Sequence, residues 1–418
     1  MTGPWRFVAA IGVMLFLWGI LLSNASLVII ALPVLAFALA PFALPLPLAA
    51  ARASLEIERG AVPAGESVPV IVSVTNVGPA VPLALISFCL PDGVRADGAT
   101  QVVASLEADG VTSFSCRVSA SRGVYELRFV RLTTCDLLAL QKHESLLPVN
   151  ASMRFMPRVE RLESVEIFPS RTRVLPGSIP SRSMGSGVEF FGTREYSPGD
   201  QRRQVNWRAG ERWDQLVTNV FNEEKAADVG IVLDARQASE VIARGGSLFE
   251  HSVHAAAAIA DYFLHKGNRV GLLNYGSFVD WIFPGYGELQ RARILLALCR
   301  AKPGDHAAFR EFSYLPIRLF PPRAQLVFIS PLRTDDVPSL RYLRALKFEL
   351  LVVSPDPVSF ETQGQHLDRY GLLAERILRA QRTTLLTGAR RSGARVIEWD
   401  TSIPLGVTLH RLGRSRQT

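Results

Sequence analysis

The sequence predicts a chain of three parts: a transmembrane helical hairpin, an all-β sandwich of the immunoglobulin type, and a doubly wound α/β domain. Three observations lead to this fold class. The N-terminal region is almost uncharged, the next region alternates apolar and polar residues with period two, and the last alternates short apolar runs with helical patterns. The predicted boundaries are 1–51 for the hairpin, 52–152 for the sandwich, 153–227 for a connecting segment and 228–418 for the α/β domain.

The hairpin is predicted from two uncharged runs joined by a short polar step. The runs extend from Phe7 to Leu22 and from Leu27 to about Ala50, and each is close to the roughly 20 residues that cross a bilayer. Arginines flank the pair on both sides and none lies in the turn, so the positive-inside rule predicts a cytoplasmic (inner) membrane protein with its soluble domains in the cytoplasm. The lipid bilayer is then one expected partner. A cleaved signal peptide ending near Ala25 is the alternative.

The sandwich is predicted from about seven short strands separated by turn residues. The stretch "SVPVIVSVTNVG" has period two and ends in a turn, and "VTSFSCRVSAS" and "GVYELRFVRLTT" repeat that pattern. No catalytic set of side chains occurs here, so a spacing or interaction role is expected. The cysteines lack metal-ligand spacing and are expected to be free and buried, with a Cys89–Cys116 disulfide as the alternative in an oxidising compartment.

The α/β domain is predicted from short apolar runs such as "DVGIVLD" and "AQLVFIS", which are typical of buried parallel strands. Helical patterns lie between them, and Gly267 is placed to end the first long helix. Ligands of such folds bind beyond the carboxyl ends of the strands, which draws attention to Asp234. His251 and His254 share a helix face and are expected to form a surface pair.

The segment between Phe190 and Arg212 carries the densest polar chemistry of the chain, around a Pro-Gly-Asp turn. Arg202 or Arg203 is expected to pair with Asp200 or Glu195, and the following run "QLVTNVFNEE" is predicted as an edge strand. Two interpretations stay open. The segment is either a strap that fixes the sandwich against the α/β domain, with its charges paired internally, or a surface that binds a partner.

This segment resembles the hallmark of the bacterial and archaeal family called domain of unknown function 58. The residues that carry the resemblance are Gly192, Thr193, Arg194, Glu195, Tyr196, Pro198, Gly199, Asp200, Arg203, Asn206, Trp207 and Arg212. The resemblance implies two N-terminal membrane helices, a β-sandwich and a von Willebrand factor A-like domain. It also implies a protein partner, a MoxR-type AAA+ ATPase, and no enzymatic activity.

The resemblance implies an A-type domain, and such domains normally carry a metal-ion-dependent adhesion site that begins D-x-S-x-S. The corresponding stretch here runs from Asp234 to Ala238, and only the first acid is kept. Arg236 places a permanent cation where a hydroxyl ligand is normal, and Ser330 ends the strand where a late aspartate is expected. Mg²⁺ needs oxygen ligands, so we expect no metal and an internal Asp234–Arg236 pair or an Arg236 that faces a partner's carboxylate.

The sequence as a whole predicts a non-enzymatic, membrane-anchored scaffold or adaptor that acts in the assembly or maturation of a membrane or envelope complex. The alternative is a metal-dependent adhesion module that binds protein through Mg²⁺ at Asp234. No phosphate loop, HExxH helix or GxSxG elbow is present, so no cofactor and no small-molecule substrate are expected. The cations are spread among acids without a basic run, so no nucleic-acid partner is expected either.

Overall fold

The protein is described from a computed structural model. The structure describes residues 3–43, 50–135, 142–165, 172–213, 215–243, 246–276, 279–304, 312 and 315–414. Only the backbone is described for residues 3–4, 40–43, 172–191, 203, 212–213, 221–225, 279, 317 and 411–414. The chain divides into two compact units, Met1–Met156 and Pro157–Thr418.

The first unit begins with two helices, α1 (Gly3–Leu21) and α2 (Ala25–Ala43). They pack closely because Gly19 has no side chain: a Cβ there would lie 2.7 Å from the Val28 side chain. The indole nitrogen of Trp5 donates a hydrogen bond to the carbonyl of Ala38 at 2.9 Å.

The prediction of a transmembrane hairpin is wrong, and so is the cytoplasmic-membrane location that depends on it. Within the ranges given above, none of the helices combines the length and the apolar character that a bilayer crossing requires. Each N-terminal helix has 19 residues. Arg6 lies in the first turn of α1, and α2 is described as far as Ala43.

Two sheets follow in the first unit. Their strands are β1 (Ala51–Ile57), β2 (Ala61–Pro63), β3 (Val68–Asn76), β4 (Val81–Phe88), β5 (Val94–Asp97), β6 (Gln101–Leu106), β7 (Val111–Ala120), β8 (Gly123–Cys135) and β9 (Lys142–Met156). One sheet has the order β1-β3-β7-β5 and the other β2-β9-β8-β4-β6. Inward side chains of both sheets, such as Val72, Ile86 and Leu132, fill one apolar core. None of the four cysteines, all of which the structure describes, forms a disulfide.

The second unit is built on one seven-stranded sheet. Its strands are β10 (Thr172–Glu195), β11 (Val217–Asp234), β14 (Arg269–Tyr275), β15 (Val279–Gly285), β16 (Gln325–Ile329), β17 (Glu349–Pro355) and β18 (Arg395–Trp399), and a separate pair is formed by β12 (Ile242–Ala243) and β13 (Gly246–Ser247). The order is β15-β14-β11-β16-β17-β18, with β10 paired to β11. Neighbours from β14 to β18 in this order run parallel, and β15 is antiparallel to β14.

Helices alternate with these strands. They are α3 (Trp207–Trp213), α4 (Leu248–His265), α5 (Gly287–Arg300), α6 (Asp336–Ala345), α7 (Pro357–Thr362), α8 (Arg369–Arg391) and α9 (Leu405–Arg414). The helix α4 begins at the cap Ser247, whose hydroxyl accepts a hydrogen bond from the Glu250 N–H. Gly267 follows its end with φ +73°, a conformation that glycine adopts without strain.

Strand β11 differs from the predicted pattern. The run after Arg212 is not a separate edge strand, because its residues continue without a break into "DVGIVLD". The first half of β11 pairs antiparallel with β10, and the second half pairs in parallel with β14 and β16. We call the segment from Phe190 to Arg212 the signature segment. One strand, β11, therefore connects this segment to the carboxyl-terminal edge of the central sheet.

Candidate functional site

Four polar side chains meet at the carboxyl-terminal edge of the central sheet. Asp234 is the last residue of β11, Arg236 follows it, Ser330 comes directly after β16, and Asp336 is the first residue of α6. All four residues are buried, from 0% exposed for Ser330 and Asp336 to 4% for Arg236. We call these four residues the Arg236 cluster.

The Arg236 guanidinium binds both carboxylates at once. Its Nε and Nη2 donate to the two oxygens of Asp234, each at 2.8 Å. Its Nη1 and Nη2 donate to the two oxygens of Asp336, at 2.8 and 2.9 Å. Such paired bonds suit the planar guanidinium, which presents its donors in a fixed fork.

The remaining acceptor positions of the carboxylates are also in use. Ser330 Oγ donates to Asp234 Oδ2 at 2.6 Å, and the Arg333 N–H donates to Asp336 Oδ2 at 2.8 Å. The Arg236 guanidinium carbon lies 4.0 Å from the centre of the Phe312 ring, a cation–π contact. The charged groups are therefore held by hydrogen bonds on one side and by an aromatic face on the other.

Electrostatics keeps the arginine charged. Burial lowers the pKa of Arg236, but the paired Asp234 and Asp336 carboxylates more than offset this, and the pKa lies above its ordinary value. Burial raises the pKa of Asp336, although Arg236 acts in the opposite direction. The nearby Asp234 carboxylate, a like charge, acts in the same direction as burial.

The Arg236 cluster does not fit a divalent cation. Mg²⁺ needs about six oxygen ligands in near-octahedral geometry, and both carboxylates that would supply them bind the guanidinium instead. The internal pair of Asp234 with Arg236 is present, and it includes Asp336, which sequence analysis missed. A second acid was expected at the end of strand β16, where the sequence has Ser330. The acid is instead Asp336, at the start of α6, and the run "TDD" that contains it was the available signal in the sequence.

A second buried arginine lies at the neighbouring part of the same edge. Arg382, from α8, is 7% exposed. Its Nε lies 2.9 Å from Glu398 Oε1 and 3.1 Å from Asp356 Oδ1, and its other nitrogens donate to the carbonyls of Pro331 and Ser354. Sequence analysis did not single out Arg382, because one arginine in an amphipathic helix carries no local mark of burial.

In the signature segment the structure pairs Asp200 with Arg194, a partner that the sequence did not predict. Arg194 Nη2 donates to Asp200 Oδ1 at 2.6 Å, and the Ser197 N–H and Thr218 hydroxyl donate to Asp200 Oδ2. The Arg194 hydrogen bond, followed by that of Ser197, lowers the pKa of the Asp200 carboxyl. Asp200 thus ties the turn to strand β11.

The other signature residues differ in their exposure and in the contacts that they make. Asn206 Oδ1 caps α3 by accepting from the Ala209 N–H at 3.1 Å, and its Nδ2 donates to Asn219 of β11 at 2.9 Å. Trp207 is 65% exposed. The remaining signature residues are Thr193, Glu195, Pro198 and Gly199, which are exposed, Gly192, which is half-buried, Tyr196, whose N–H binds the Leu216 carbonyl, and Arg203 and Arg212, whose side chains lie outside the described residues.

His251 and His254 of α4 are not a free surface pair, since both are half-buried. The His251 ring packs edge-on against Phe360 and Trp399, with ring centres 5.5 and 6.3 Å away. Burial lowers the pKa of His251. Its position therefore agrees with a packing role.

Comparison with known families identifies the signature region. Residues 192–350 match the family model described as "Protein of unknown function DUF58", so the resemblance seen in the signature segment is confirmed. The "Uncharacterized protein YeaD" of Bacillus subtilis (strain 168) is 26% identical over 245 residues. That match covers 57% of this chain and 59% of the relative, which is less than two thirds of its length.

Several solved structures resemble about a quarter of the chain. The CARDB domain of a Pyrococcus furiosus protein is 14% identical over 26% of this chain and 94% of that one, with a TM-score of 0.19. A non-cellulosomal cohesin from Archaeoglobus fulgidus is 12% identical over 25% of this chain and 91% of that one, with a TM-score of 0.18. At such TM-scores these likenesses carry no argument about fold or function.

Proposed function

We propose that this chain, whose residues 192–350 match the DUF58 family, is a non-enzymatic scaffold or adaptor. Its α/β unit binds a protein partner, and this binding needs no metal ion. The observation that carries the proposal is the Arg236 guanidinium, which binds both carboxylates of the edge where a metal-dependent site would need them. Because Arg236 already occupies these carboxylates, binding of a partner depends on the protein's own side chains and not on a metal ion bridge.

The exposed part of the signature segment is the proposed binding surface. Trp207 lies at the first turn of α3 with 65% of its surface exposed, and Arg202 and Arg208 nearby in sequence are exposed as well. Tryptophan and arginine are the residue types that most often dominate the binding energy of protein interfaces. Asp200 and Asn206 support this surface from within, since their bonds are made inside the second unit.

The proposed partner is an AAA+ ATPase of the MoxR type, and the proposed task is the assembly or maturation of a membrane or envelope complex. Support for both comes from the family resemblance. An ATPase partner also agrees with the absence of a phosphate loop in this sequence. In this proposal the partner supplies the nucleotide chemistry and this chain supplies the contact.

A pull-down of a purified MoxR-type AAA+ ATPase by the full-length chain tests this function. We expect Trp207→Ala to weaken capture at least tenfold while the melting temperature is unchanged. Trp281→Ala is the matched control, because Trp281 is also exposed, at 46%, and lies on β15 away from the signature segment. Full capture by Trp207→Ala contradicts the proposed surface.

Adding EDTA to the same experiment separates this proposal from metal-dependent adhesion through Asp234. We expect capture to be unaffected, because the Asp234 oxygens already bind Arg236 and Ser330. Loss of capture on chelation, restored by Mg²⁺, contradicts a metal-independent mode.

A further inference from the structure

A pocket at the carboxyl-terminal end of β14 contains a buried side chain that makes no hydrogen bond to any of the described residues. The pocket has a volume of about 300 Å³ and lies against Asn274, Gly276, Asp280, Arg300 and Lys302. This volume is at the lower end of the range for small-molecule sites. Parallel α/β sheets bind their ligands at this edge.

Asn274 is 5% exposed, and among the described residues neither its amide nitrogen nor its amide oxygen has a partner. Buried amides are almost always hydrogen-bonded, because an unpaired donor or acceptor loses its contacts with water. A carboxamide left unpaired toward a pocket is therefore ready to bind one donor and one acceptor of a ligand.

The charges around Asn274 specify the ligand further. Asp280 is the direct cross-strand neighbour of Asn274 in the antiparallel pair of β14 and β15, so their side chains lie on the same face. Arg300 ends α5 and Lys302 follows it, and both are exposed at the pocket. The pocket thus combines one carboxylate with two cations.

Gly276 allows the backbone after β14 to pack closely against Ala235 in the pocket wall. A Cβ at this position would lie 2.2 Å from the Ala235 carbonyl oxygen, so any larger residue would displace the backbone next to the pocket. Ala235 belongs to the loop after β11, and its N–H binds the Tyr275 carbonyl at 2.8 Å. The wall is therefore formed by two connected strand ends.

We infer that this pocket binds a free acidic α-amino acid. Arg300 and Lys302 bind its two carboxylates, Asp280 binds its ammonium group, and Asn274 completes the contact with one donor and one acceptor. A ligand with two carboxylates and one ammonium carries a net charge of −1, which complements the +1 of the three charged side chains at the pocket. No aromatic side chain is among the described residues that line it, so a stacked nucleobase is disfavoured.

Isothermal titration calorimetry of the full-length chain with L-glutamate tests the inference without any partner protein, so it stands or falls independently of the proposed scaffold role. We expect saturable binding, weakened at least tenfold by Asn274→Leu and by the pair Arg300→Gln and Lys302→Gln. Arg293→Gln, which removes another exposed cation of α5, is the control and is expected to bind as the unaltered chain does.

Thermal melting separates a ligand-binding asparagine from a structural one. Leucine has nearly the shape of asparagine and no polar atoms, so we expect Asn274→Leu to melt at the same temperature as the unaltered chain, or higher. A clear decrease in the melting temperature overturns the inference, because it assigns Asn274 to the fold.

N-acetyl-L-glutamate α-amide, which has neither a free ammonium group nor an α-carboxylate, identifies the source of the ligand. Binding of L-glutamate but not of this blocked compound supports a free amino acid. Binding of the blocked compound alone overturns that conclusion in favour of an acidic residue within a polypeptide. Binding of neither at millimolar concentration overturns the site.

Discussion

A single arginine joins three structural elements of the α/β unit. Arg236 binds Asp234 at the end of β11 and Asp336 at the start of α6, and Ser330 from the end of β16 binds the same Asp234 carboxylate. Buried charges are tolerated only when they are paired and hydrogen-bonded. The cluster therefore makes the positions of these elements depend on one another.

Removing the cation tests this dependence. Arg236→Leu leaves two carboxylates buried without compensation, and we expect it to lower the free energy of unfolding by about 3–5 kcal/mol. Urea unfolding followed by circular dichroism measures the loss. The control is Arg341→Leu, on an exposed position of α6, which we expect to change stability by less than about 0.5 kcal/mol. A loss below about 1 kcal/mol for Arg236→Leu contradicts a structural role.

Asp200 makes a prediction about pH. The Arg194 hydrogen bond and the Ser197 N–H lower its pKa below the ordinary value of 3.8. A carboxyl with a lowered native pKa stabilises the fold above its ordinary pKa, and the stabilisation is lost as the pH falls through the lowered native value. We therefore expect Asp200→Asn to be less stable than the unaltered chain at pH 7, with the difference shrinking below about pH 4.

Urea midpoints across this pH range measure the effect. Asp92→Asn, at an exposed position of the first unit, is the control and should run parallel to the unaltered chain at every pH. A difference between Asp200→Asn and the unaltered chain that is constant from pH 7 to about pH 3 contradicts the assignment.

At the scale of elements, β11 combines two kinds of strand in one. Its first half belongs to an antiparallel ribbon with β10, and its second half is a fully buried parallel strand. Gly230 lies in the buried half, where a Cβ would come within 2.5 Å of the Phe320 ring and 2.8 Å of Leu326. The close packing of this strand against its neighbours therefore requires glycine.

Gly230→Ala tests that packing. We expect a loss of about 1–3 kcal/mol in the free energy of unfolding, because the added methyl group displaces the Phe320 ring. The matched control is Gly192→Ala, in strand β10, where no atom lies within 4 Å of the added Cβ. Both are measured by urea unfolding, and equal midpoints for the two variants contradict the packing argument.

At the scale of the whole molecule, the chain contains two units with separate apolar cores. One core is formed by the two sheets of Met1–Met156 and includes Val70 and Phe155. Another lies within Pro157–Thr418 and includes Phe328 and Leu340. A unit with its own core is expected to fold alone.

A fragment of residues 157–418 tests this expectation. We expect it to unfold cooperatively in urea and to show the near-ultraviolet circular dichroism of packed aromatic rings. The fragment carrying Arg236→Leu is expected to unfold at a lower urea concentration, since the whole cluster lies inside this unit. A fragment without a cooperative transition contradicts the independence of the unit.

Local sequence patterns predicted the secondary-structure elements more successfully than the pairing of side chains. The period-two stretch "SVPVIVSVTNVG" and the apolar run "DVGIVLD" lie in β3 and β11, and Gly267 follows the end of α4. The two apolar runs at the N-terminus overlap with α1 and α2, but neither helix, over the part of the chain that the structure describes, combines the length and apolar character of a membrane span. Pairing was less predictable still: Asp200 binds Arg194, which precedes the turn, because the turn directs the Asp200 carboxylate back toward β10 and β11.

The sequence by itself determined the signature segment and the degenerate metal motif, because both are written in consecutive residues. Only the tertiary structure decided that Asp336, 100 residues from Arg236, completes a closed ion cluster. The same holds for Asn274, which is buried beside Asp280, Arg300 and Lys302 with no partner for its amide among the described residues. The physical reason is that burial and charge pairing depend on which strand ends meet at the edge of a sheet. That arrangement is set by the packing of the whole unit and leaves no mark in any short stretch of residues.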